Sequence, residues 1–320
     1  MILVCGGLAD IVTELVCARI EHLGYAYRLL DLGHYPSGYA ISWTWEGEVP
    51  TGVIRGPGWT LDLAEIRGVY VRYLGAEGHA PMEGVPNRLD PAVLAEAQVG
   101  LAAMVESLPC LVANRAVPSL SNHSKPYQAL AIRASGLQTP RTLVTSDPAA
   151  ARIFYEECGG DVIFKSIGGT RSVVRRMEPR DLNRLPYLRH GPAQFQAYVP
   201  GDNIRVHTVG EALFATRVRS GAVDYRYARH QGAEVEMEPT ILPPTVASAC
   251  RQLGLGAGLM LAGIDLKETP DGQYYGFEVN PCPGFAWYER QTGQPISAAL
   301  AEMLRRGAPT IDVADFAPAP

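Results

Sequence analysis

The sequence predicts a mixed α/β protein in which a parallel sheet comes first and an antiparallel sheet comes last. Residues 2–5 are apolar, as in a buried strand, residues 9–23 have helical apolar spacing that ends at Gly24, and residues 25–32 have strand composition. This β-α-β order is typical of a parallel sheet. Near the end of the chain, two strand-like runs flank a Pro270-Asp271-Gly272 turn, which is typical of an antiparallel hairpin.

The first unit covers residues 1–116 and continues the alternation of strands and helices. Its further predicted elements are a short hairpin at 40–45 and 52–55, a strand at 68–73, a helix at 90–106 and a strand at 110–113. The helix is predicted to begin at Asp90, because an Asp cap followed by Pro91 is a typical helix start. Gly6-Gly7 lacks the further glycines of a dinucleotide fingerprint, so we predict no such site there.

Two further units and a tail follow. The central unit, residues 117–192, is predicted as a small α+β unit with a helix at 126–135, a strand at 140–145, a helix at 149–157, a strand at 161–166 and then a charged, irregular stretch. The C-terminal unit, residues 193–310, is predicted as an antiparallel sheet with a helix at 244–253, and residues 311–320 as a loose tail. The glycines at 254–258 follow a helix rather than a strand, so they indicate a helix end.

Size and composition exclude several classes of protein. With 320 residues, 47% of them hydrophobic, the chain is predicted to be globular, with ample core. Its net charge of −5, from 28 basic and 33 acidic residues, is too small to indicate a nucleic-acid or membrane surface. Without a basic leader or an apolar run of about 20 residues, we expect a cytoplasmic protein with no membrane span. Six scattered cysteines indicate a reducing compartment and no structural zinc; the role of Cys282 stays open.

Three acceptor side chains near the end of the chain predict a metal site. A hairpin formed by residues 262–266 and 273–279 would bring Asp265 beside Glu278. Because successive side chains of a strand point to opposite faces, Glu278 and Asn280 would share one face, with Val279 pointing away. Two carboxylates and an amide oxygen suit Mg²⁺ that carries phosphate oxygens in its other positions. These residues therefore favour nucleotide-dependent chemistry.

Two lysines and a glycine loop predict phosphate contacts. Lys165 ends the apolar run 162–164, which predicts a lysine at a strand end, whereas Lys125 could equally be a solvated surface lysine. The loop after Lys165 offers backbone N–H groups and hydroxyl donors at Gly168, Gly169, Thr170 and Ser172. A Gly-Gly pair alone indicates only a turn, but its position directly after Lys165 favours a phosphate loop.

An arginine cluster predicts counter-charges for a triphosphate. The cluster consists of Arg205, Arg217, Arg219, Arg226 and Arg229. Arg217 and Arg219 alternate with Val218 and would share a strand face. A solvated basic face is the plain alternative, but the chain as a whole is acidic, so we favour function. The motifs of α/β-hydrolases, zinc proteases and P-loop nucleotide-binding proteins do not occur.

In this order, the motifs resemble those of the ATP-grasp superfamily and, within it, the RimK-like ligases. The resemblance covers roughly residues 115–305 and rests on Asn122-His123-Ser124-Lys125, the run ending in Lys165, residues 196–206, and the two strands that carry Asp265 and Glu278-Val279-Asn280-Pro281. The chain looks most similar to the graspetide ligases, which crosslink ribosomal peptides. Val223-Asp224-Tyr225-Arg226 matches their Asp-x-Arg element.

The resemblance implies an ATP-grasp fold that binds ATP and Mg²⁺. The nucleotide would contact Lys125, Lys165, the loop residues Gly168, Gly169, Thr170 and Ser172, and the hinge residues Gln196, Ala197, Tyr198, Val199 and Asp202. Within the hinge, the backbone of Ala197 and Val199 would meet the adenine edge and Asp202 the ribose. Position 197 is Ala where an acidic residue is common in the family, which is harmless if only backbone is used there.

The resemblance also implies the catalytic and metal residues. Arg205 and Arg217 would hold the γ-phosphate and then the acyl phosphate, while Asp265, Glu278 and Asn280 would bind Mg²⁺. Asp224 and Arg226 would engage the acceptor and carboxylate of the substrate. Asp224 could serve as a shared base or, equally, belong to a structural Asp–Arg pair.

These roles imply an ATP-dependent carboxylate–amine or carboxylate–hydroxyl ligase that acts on a ribosomal peptide through an acyl phosphate and releases ADP and phosphate. One alternative is a ligase that adds a free amino acid to a protein tail or a small-molecule carboxylate. A non-catalytic ATP-binding module and a kinase on the same scaffold are others. The sequence does not reveal which group is the acceptor or whether the product is an ester or an amide. It also leaves open whether the protein forms a homodimer, for example through a helix such as 90–106.

Overall fold

The computed structural model describes residues 1–45, 47–72, 90–167, 174–220 and 234–309. The first unit contains, in chain order, β1 (Ile2–Gly6), α1 (Ile11–His22), β2 (Tyr27–Asp31), β3 (Ala40–Thr44), β4 (Thr51–Gly56), β5 (Trp59–Asp62), β6 (Gly68–Val71), α2 (Pro91–Ser107) and β7 (Leu111–Ala113). Four of its strands form a parallel sheet in the order β2-β1-β6-β7. This confirms the predicted β-α-β opening.

Side-chain caps set the starts of the two long helices of this unit. The Asp10 carboxylate accepts the N–H of Thr13 at the start of α1, and Asp90 accepts the N–H of Ala92 before Pro91 starts α2. The predicted start at Asp90 is confirmed. The predicted two-stranded hairpin has a third strand, β5, because a turn at Gly58 (φ +73°) sends the chain back along β4.

The central part of the chain carries a small antiparallel sheet. Its elements are α3 (Ala116–Ser119), α4 (Lys125–Ala134), β8 (Thr142–Thr145), α5 (Pro148–Glu157), β9 (Val162–Lys165), β10 (Arg175–Arg176), a 3-10 helix (Pro179–His190) and β11 (Ala193–Ala197). The sheet order is β10-β9-β11-β8. The 3-10 helix corrects the prediction of an irregular stretch after residue 178: Leu185 and Leu188 give it an apolar side that packs with Phe154 of α5.

The C-terminal part carries a five-stranded antiparallel sheet in the order β14-β13-β12-β15-β16. Its elements are β12 (Asp202–Val209), β13 (Ala212–Ser220), β14 (Val235–Thr240), α6 (Pro244–Gly256), β15 (Leu261–Glu268), β16 (Tyr274–Asn280), α7 (Ala286–Thr292) and α8 (Ile296–Arg306). The glycine run closes α6, with Gly258 in the left-handed region, as predicted. Together, the parallel and antiparallel sheets confirm the mixed α/β class.

One strand lies in a different sheet from the one predicted. Ala193–Ala197 is assigned by sequence to the C-terminal unit, but β11 pairs with β8 and β9 inside the small sheet. Gln194 lies opposite Lys165 in that ladder. The error arises because a single strand carries no signal for which sheet it joins. The division of the chain into three units and a tail stays a prediction.

The large sheet has one apolar face and one polar face. The apolar face, with Ile204, Val206 and Ile264, packs against helices α4 and α6 in one core cluster. The opposite face carries Arg205 and Asp265, which lie directly across the β12–β15 ladder from each other. Among the described residues, no helix combines the length and the apolar character that crossing a bilayer would require.

Candidate active site

A cleft lies between the small sheet and the polar face of the large sheet. The small sheet contributes Ile163 and Lys165 from β9, and the connection between the sheets contributes residues 197–199. The large sheet contributes Asn203, Asp265, Lys267, Phe277 and Glu278. Lys165 from the small sheet therefore shares the cleft with the Asp265 and Glu278 carboxylates from the large sheet.

The β15–β16 hairpin brings the predicted metal ligands together. Asp265 lies opposite Glu278 and Gly263 lies opposite Asn280, which confirms the predicted register. Ile264 and Val279, which alternate with these residues, are buried in the core. The three oxygen-bearing side chains therefore share the cleft face of the hairpin.

The contacts of these acceptors fit a hard cation. Arg205 Nη1 donates to Asp265 Oδ1 at 2.7 Å, and the Cys282 N–H donates to Asn280 Oδ1 at 2.8 Å. Within the described part of the chain, the Glu278 carboxylate has no hydrogen bond or ion pair, and no group of three His, Cys, Asp or Glu side chains is arranged for a metal. Two carboxylates and an amide suit Mg²⁺, which uses few protein ligands and takes its other oxygens from phosphates and water.

A β-bulge adds a residue to the cleft that the sequence did not reveal. Asp265 pairs with Glu278 but Leu266 pairs with Gly276, so Phe277 is the extra residue. Phe277 and Glu278 consequently both line the cleft, although regular alternation would send one of them away. Strand composition does not signal a bulge, which is why Phe277 was not predicted.

Lys125 and Lys165 are both buried, being 6% and 7% exposed. The plain alternative of solvated surface lysines is therefore wrong. Lys125 Nζ donates to the carbonyl of Ser166 at 3.2 Å, directly after Lys165, so the two lysines lie at the same end of β9. The end of β9 therefore carries two buried ammonium groups, of which Lys165 lines the cleft.

The hinge between the sheets is held by an aromatic ring between two cations. The Tyr198 ring lies 4.3 Å from the Arg176 guanidinium carbon and 5.0 Å from Lys267 Nζ. Lys267 Nζ also donates to the Val199 carbonyl at 3.0 Å, and burial lowers the pKa of Lys267 below its ordinary value. Lys267 was not predicted; its position on the same strand and face as Asp265 was the available signal.

The other hinge residues serve the small sheet as well. The N–H groups of Ala197 and Tyr198 donate to the carbonyls of Arg141 and Asp161, each at 2.9 Å, so these two donors support the fold. Gln196 is buried opposite Ile163, and its Nε2 donates to Thr142 Oγ1 at 3.0 Å. Opposed residues share a face, so Gln196 belongs to the cleft side of the sheet.

Strand alternation separates Arg217 from Arg205. In the β12–β13 ladder Arg217 lies opposite Ile204, whereas Arg205 lies opposite Thr216, so the two arginines occupy opposite faces of the sheet. Arg217 donates to Asp202 at 2.7 Å and also binds Glu268. This placement contradicts the predicted pairing of Arg205 and Arg217 on one phosphate, because only Arg205 faces Asp265.

The same alternation corrects the predicted ribose contact. Asp202 is paired with Arg217 and lies 3.7 Å from Arg219, while its neighbour Asn203 lines the cleft. Counting two residues back from Arg205 along β12 would have identified Asn203, because residues two apart share a strand face.

The Arg205 guanidinium contacts the side chains of His207 and Tyr288. Arg205 Nε donates to His207 Nε2 at 3.4 Å, and the Tyr288 ring lies 5.8 Å from the guanidinium carbon. Burial and the nearby Arg205 charge hold the pKa of His207 well below its ordinary value, so the imidazole is neutral. The neutral imidazole therefore accepts the Arg205 hydrogen bond and supports the guanidinium.

Six predicted site residues lie outside the described residues: Gly168, Gly169, Thr170, Ser172, Asp224 and Arg226. Their roles stay predictions.

Comparison with known proteins gives full-length structural matches. No protein-family model matches the chain, and no curated protein matches it. The macrocyclase MdnC bound with precursor peptide MdnA, from Microcystis aeruginosa MRC, is 25% identical with a TM-score of 0.79, over 95% of this chain and 99% of that one. The ATP-grasp ligase PsnB, complexed with a phosphomimetic variant of its minimal precursor, Mg and ADP, is 26% identical with a TM-score of 0.76, over 96% and 98%.

A third match supports the fold alone. The RiPP-associated ATP-grasp ligase of Chryseobacterium gregarium, in complex with ADP and a leader and core peptide, has a TM-score of 0.80 at 23% identity, over 95% of this chain and 96% of that one. The three similar structures agree in fold over nearly the whole chain, including the first unit. The chain therefore has the fold of an ATP-grasp ligase, and over nearly its whole length it is similar to ligases that were solved with precursor peptides.

Proposed function

We propose that this protein is an ATP- and Mg²⁺-dependent ligase that crosslinks a ribosomally made precursor peptide. The product is an amide or ester between a side-chain carboxylate and an amine or hydroxyl. The proposal rests mainly on the cleft in which the buried Lys165 faces the Asp265 and Glu278 carboxylates. The precursor peptides, Mg and ADP named for the similar ligases support the choice of substrate and cofactors.

Different residues of the cleft contact different parts of the nucleotide. Lys125 and Lys165 bind phosphate oxygens, and Ala197 and Val199 offer backbone groups to the adenine. Asn203 takes the ribose position that the sequence assigned to Asp202, since it is Asn203 that lines the cleft. Asp265, Glu278 and Asn280 would hold Mg²⁺, which would neutralise charge on the phosphate oxygens.

The chemistry needs activation of a carboxylate. A substrate carboxylate oxygen attacks the γ-phosphorus of ATP, ADP leaves, and an acyl phosphate forms. An amine or hydroxyl then attacks the acyl carbon and phosphate leaves. Arg205 faces the reacting phosphoryl group and offsets its negative charge, and Asp265 holds that guanidinium in place. No enzyme nucleophile is required. Asp224 and Arg226 are the candidates for substrate contacts.

Two broader assignments accompany this proposal. All six cysteines are free thiols, which suits the cytoplasm as the compartment. A homodimer stays a prediction.

Co-expression with a short precursor peptide encoded beside this protein tests the proposal by mass spectrometry. We expect the peptide to lose one water for every bond formed, together with ADP release from the purified enzyme. Glu278→Gln removes a metal carboxylate without changing side-chain size, so both signals should disappear while the protein stays folded. Glu156→Gln, the same change at an exposed position of α5, should behave like the unchanged protein.

Other mass changes would contradict peptide crosslinking. A gain of one amino-acid residue would identify a tailing ligase, and a gain of phosphate would identify a kinase. ADP release with an unchanged peptide would direct the search to a small-molecule carboxylate. Full turnover by the Glu278→Gln variant would remove the metal assignment.

A further inference from the structure

The segment that carries two of the three metal acceptors is held by a buried amide from another element. We call Glu278–Val279–Asn280–Pro281 the acceptor segment. β16 is an edge strand, so one side of it has no neighbouring strand in the sheet. At Val279, the Gln128 side chain takes that place: its Nε2 donates to the Val279 carbonyl at 2.6 Å and its Oε1 accepts the Val279 N–H at 3.4 Å. Gln128 is 1% exposed.

A second buried amide holds the other end of the acceptor segment. Asn114 follows β7 in the first unit, and its Nδ2 donates to the Pro281 carbonyl at 2.6 Å and to the Leu261 carbonyl at 2.5 Å. Its Oδ1 accepts the N–H groups of Met260 and Leu261, at 2.7 and 3.0 Å. Asn114 therefore ties the end of the acceptor segment to the start of β15, the strand that carries Asp265.

Helix α4 connects the acceptor segment to the phosphate end of the cleft. Lys125 and Gln128 are three residues apart, so they lie on neighbouring turns of one helix face, and both are buried. Lys125 reaches the Ser166 carbonyl while Gln128 reaches Val279. One rigid helix thus sets the distance between the phosphate lysine and the metal acceptors.

We propose that Gln128 and Asn114 are positioning residues for the metal site. They hold the backbone of Val279 and Pro281 so that Glu278 and Asn280 present their oxygens to the same cation. Because both acceptors flank Val279, a rotation of that one peptide unit would move them together. Neither amide touches the metal or the nucleotide, and the inference rests on the proposed function. Partners of this kind, beyond the ligands themselves, typically govern metal affinity.

Mn²⁺ binding in the presence of ADP, followed by electron paramagnetic resonance, tests this role without using catalysis. Gln128→Met keeps the side-chain length but removes the donor and the acceptor. We expect its Mn²⁺ affinity to fall by about 10- to 100-fold. Its ADP affinity in EDTA should stay within about twofold, a change of less than half a kcal/mol, because the nucleotide contacts are intact. Raising Mg²⁺ should restore ADP release by the variant.

The matched control is Gln138→Met. Gln138 Nε2 donates to Gln273 Oε1 at 2.9 Å, so this variant removes a side-chain amide contact at the start of β16 instead of one at Val279. Its Mn²⁺ affinity should match that of the unchanged protein. If Gln128→Met does not fold, Gln128→Asn replaces it, because it keeps a neutral amide but is one methylene shorter and so weakens both hydrogen bonds to Val279.

The outcomes separate the two proposals. Unchanged Mn²⁺ affinity in a folded Gln128 variant overturns the positioning role. The positioning role is also overturned if the variant loses metal-free ADP affinity by the same factor as Mn²⁺ affinity. That result would show that Gln128 supports the fold in general. If the unchanged protein itself binds no Mn²⁺ with ADP, the proposed function fails instead.

Discussion

At the scale of single residues, one step along a strand decides which side chain lines the cleft. Asp202 and Asn203 are neighbours, yet Asp202 is bound to Arg217 on one face of the sheet while Asn203 lines the cleft on the other. A motif alone cannot separate two adjacent polar residues. The alternation of side chains along β12, counted from Arg205, does separate them.

The two neighbours should therefore respond differently to substitution. Asn203→Ala should raise KM for ATP about tenfold, which is the worth of one to two hydrogen bonds, with a smaller change in kcat. Asp202→Asn should leave KM within about twofold, since a factor of two is less than half a kcal/mol. It should instead lower stability, because Arg217 loses a charged partner. ADP release at varied ATP and urea unfolding measure both effects. Equal increases in KM would contradict the assignment of Asn203.

Residue spacing predicted some of the site and missed the rest for physical reasons. Asp265, Glu278 and Asn280 follow from a hairpin and a period of two, both visible in the sequence. Phe277 could not be predicted, because its position depends on a bulge. Spacing does place Lys267 on the same strand face as Asp265, but its contact with the Val199 carbonyl, 68 positions away in the chain, could not be predicted.

At the scale of elements, the position of the Arg205 side chain on β12 depends on a glycine in the neighbouring strand β15. A Cβ placed on Gly263 would lie 2.0 Å from Arg205 Nη2 and 2.7 Å from Pro283 Cβ. The Arg205 guanidinium thus occupies the space that any larger residue at 263 would need. The ion pair between Arg205 and Asp265 exists because position 263 is glycine.

Gly263→Ala should accordingly displace Arg205 from Asp265. We expect kcat to fall about 100-fold, the order expected when a charged group at the reacting centre is misplaced by an ångström. Stability should fall by about 1–3 kcal/mol from overpacking. ADP release and urea unfolding measure the two effects.

The same substitution in α2 is the control. A Cβ on Gly100 would meet no atom within 4 Å in the described part of the chain. Gly100→Ala should therefore keep full activity and gain about 0.5–1 kcal/mol of stability from helix propensity. Wild-type kcat for Gly263→Ala would show that Arg205 does not need its observed position.

Most elements were predictable, and the failures have one cause. Helices α1, α2, α4, α5 and α6 carry caps or apolar spacing that local sequence displays. The sheet membership of β11 and the 3-10 helix before it depend on distant partners instead: β8 and β9 for the strand, and α5 for the helix.

At the scale of the whole molecule, the last helix belongs to the core of the first sheet. Ile296, Leu300 and Leu304 of α8 lie in one cluster with Ile2 and Val4 of β1. Glu302, which is 5% exposed, accepts the Tyr25 hydroxyl at 2.7 Å and also binds Arg305 and Arg306. The beginning and the end of the described chain are therefore joined by apolar and polar contacts.

Glu302 makes this junction sensitive to acid. The hydrogen bonds from Arg305, with those from Tyr25 and Arg306, hold the pKa of Glu302 at about 2, below its ordinary 4.5. A lowered carboxylate pKa stabilises the folded state above pH 4.5, and that contribution is lost as the pH falls from 4.5 towards 2. Glu302→Gln should cost about 1–3 kcal/mol at pH 7, allowing for the half-exposed arginines.

Urea unfolding at pH 7 and at pH 3 measures this contribution. The difference between the unchanged protein and Glu302→Gln should be largest at pH 7 and shrink at pH 3, where the unfolded carboxyl is already protonated. A difference that is equal at both pH values would show that the carboxylate charge contributes nothing.

The position of α8 also sets the order of events during synthesis. The ribosome releases β1, β2, β6 and β7 well before α8, so the newly made sheet exposes Ile2 and Val4 while the rest of the chain is being translated. The core around these residues is completed only when residues 296–304 emerge, because their apolar side chains belong to the same cluster. Completion of the core under the parallel sheet therefore follows the translation of α8, and until then that sheet lacks part of its apolar cover.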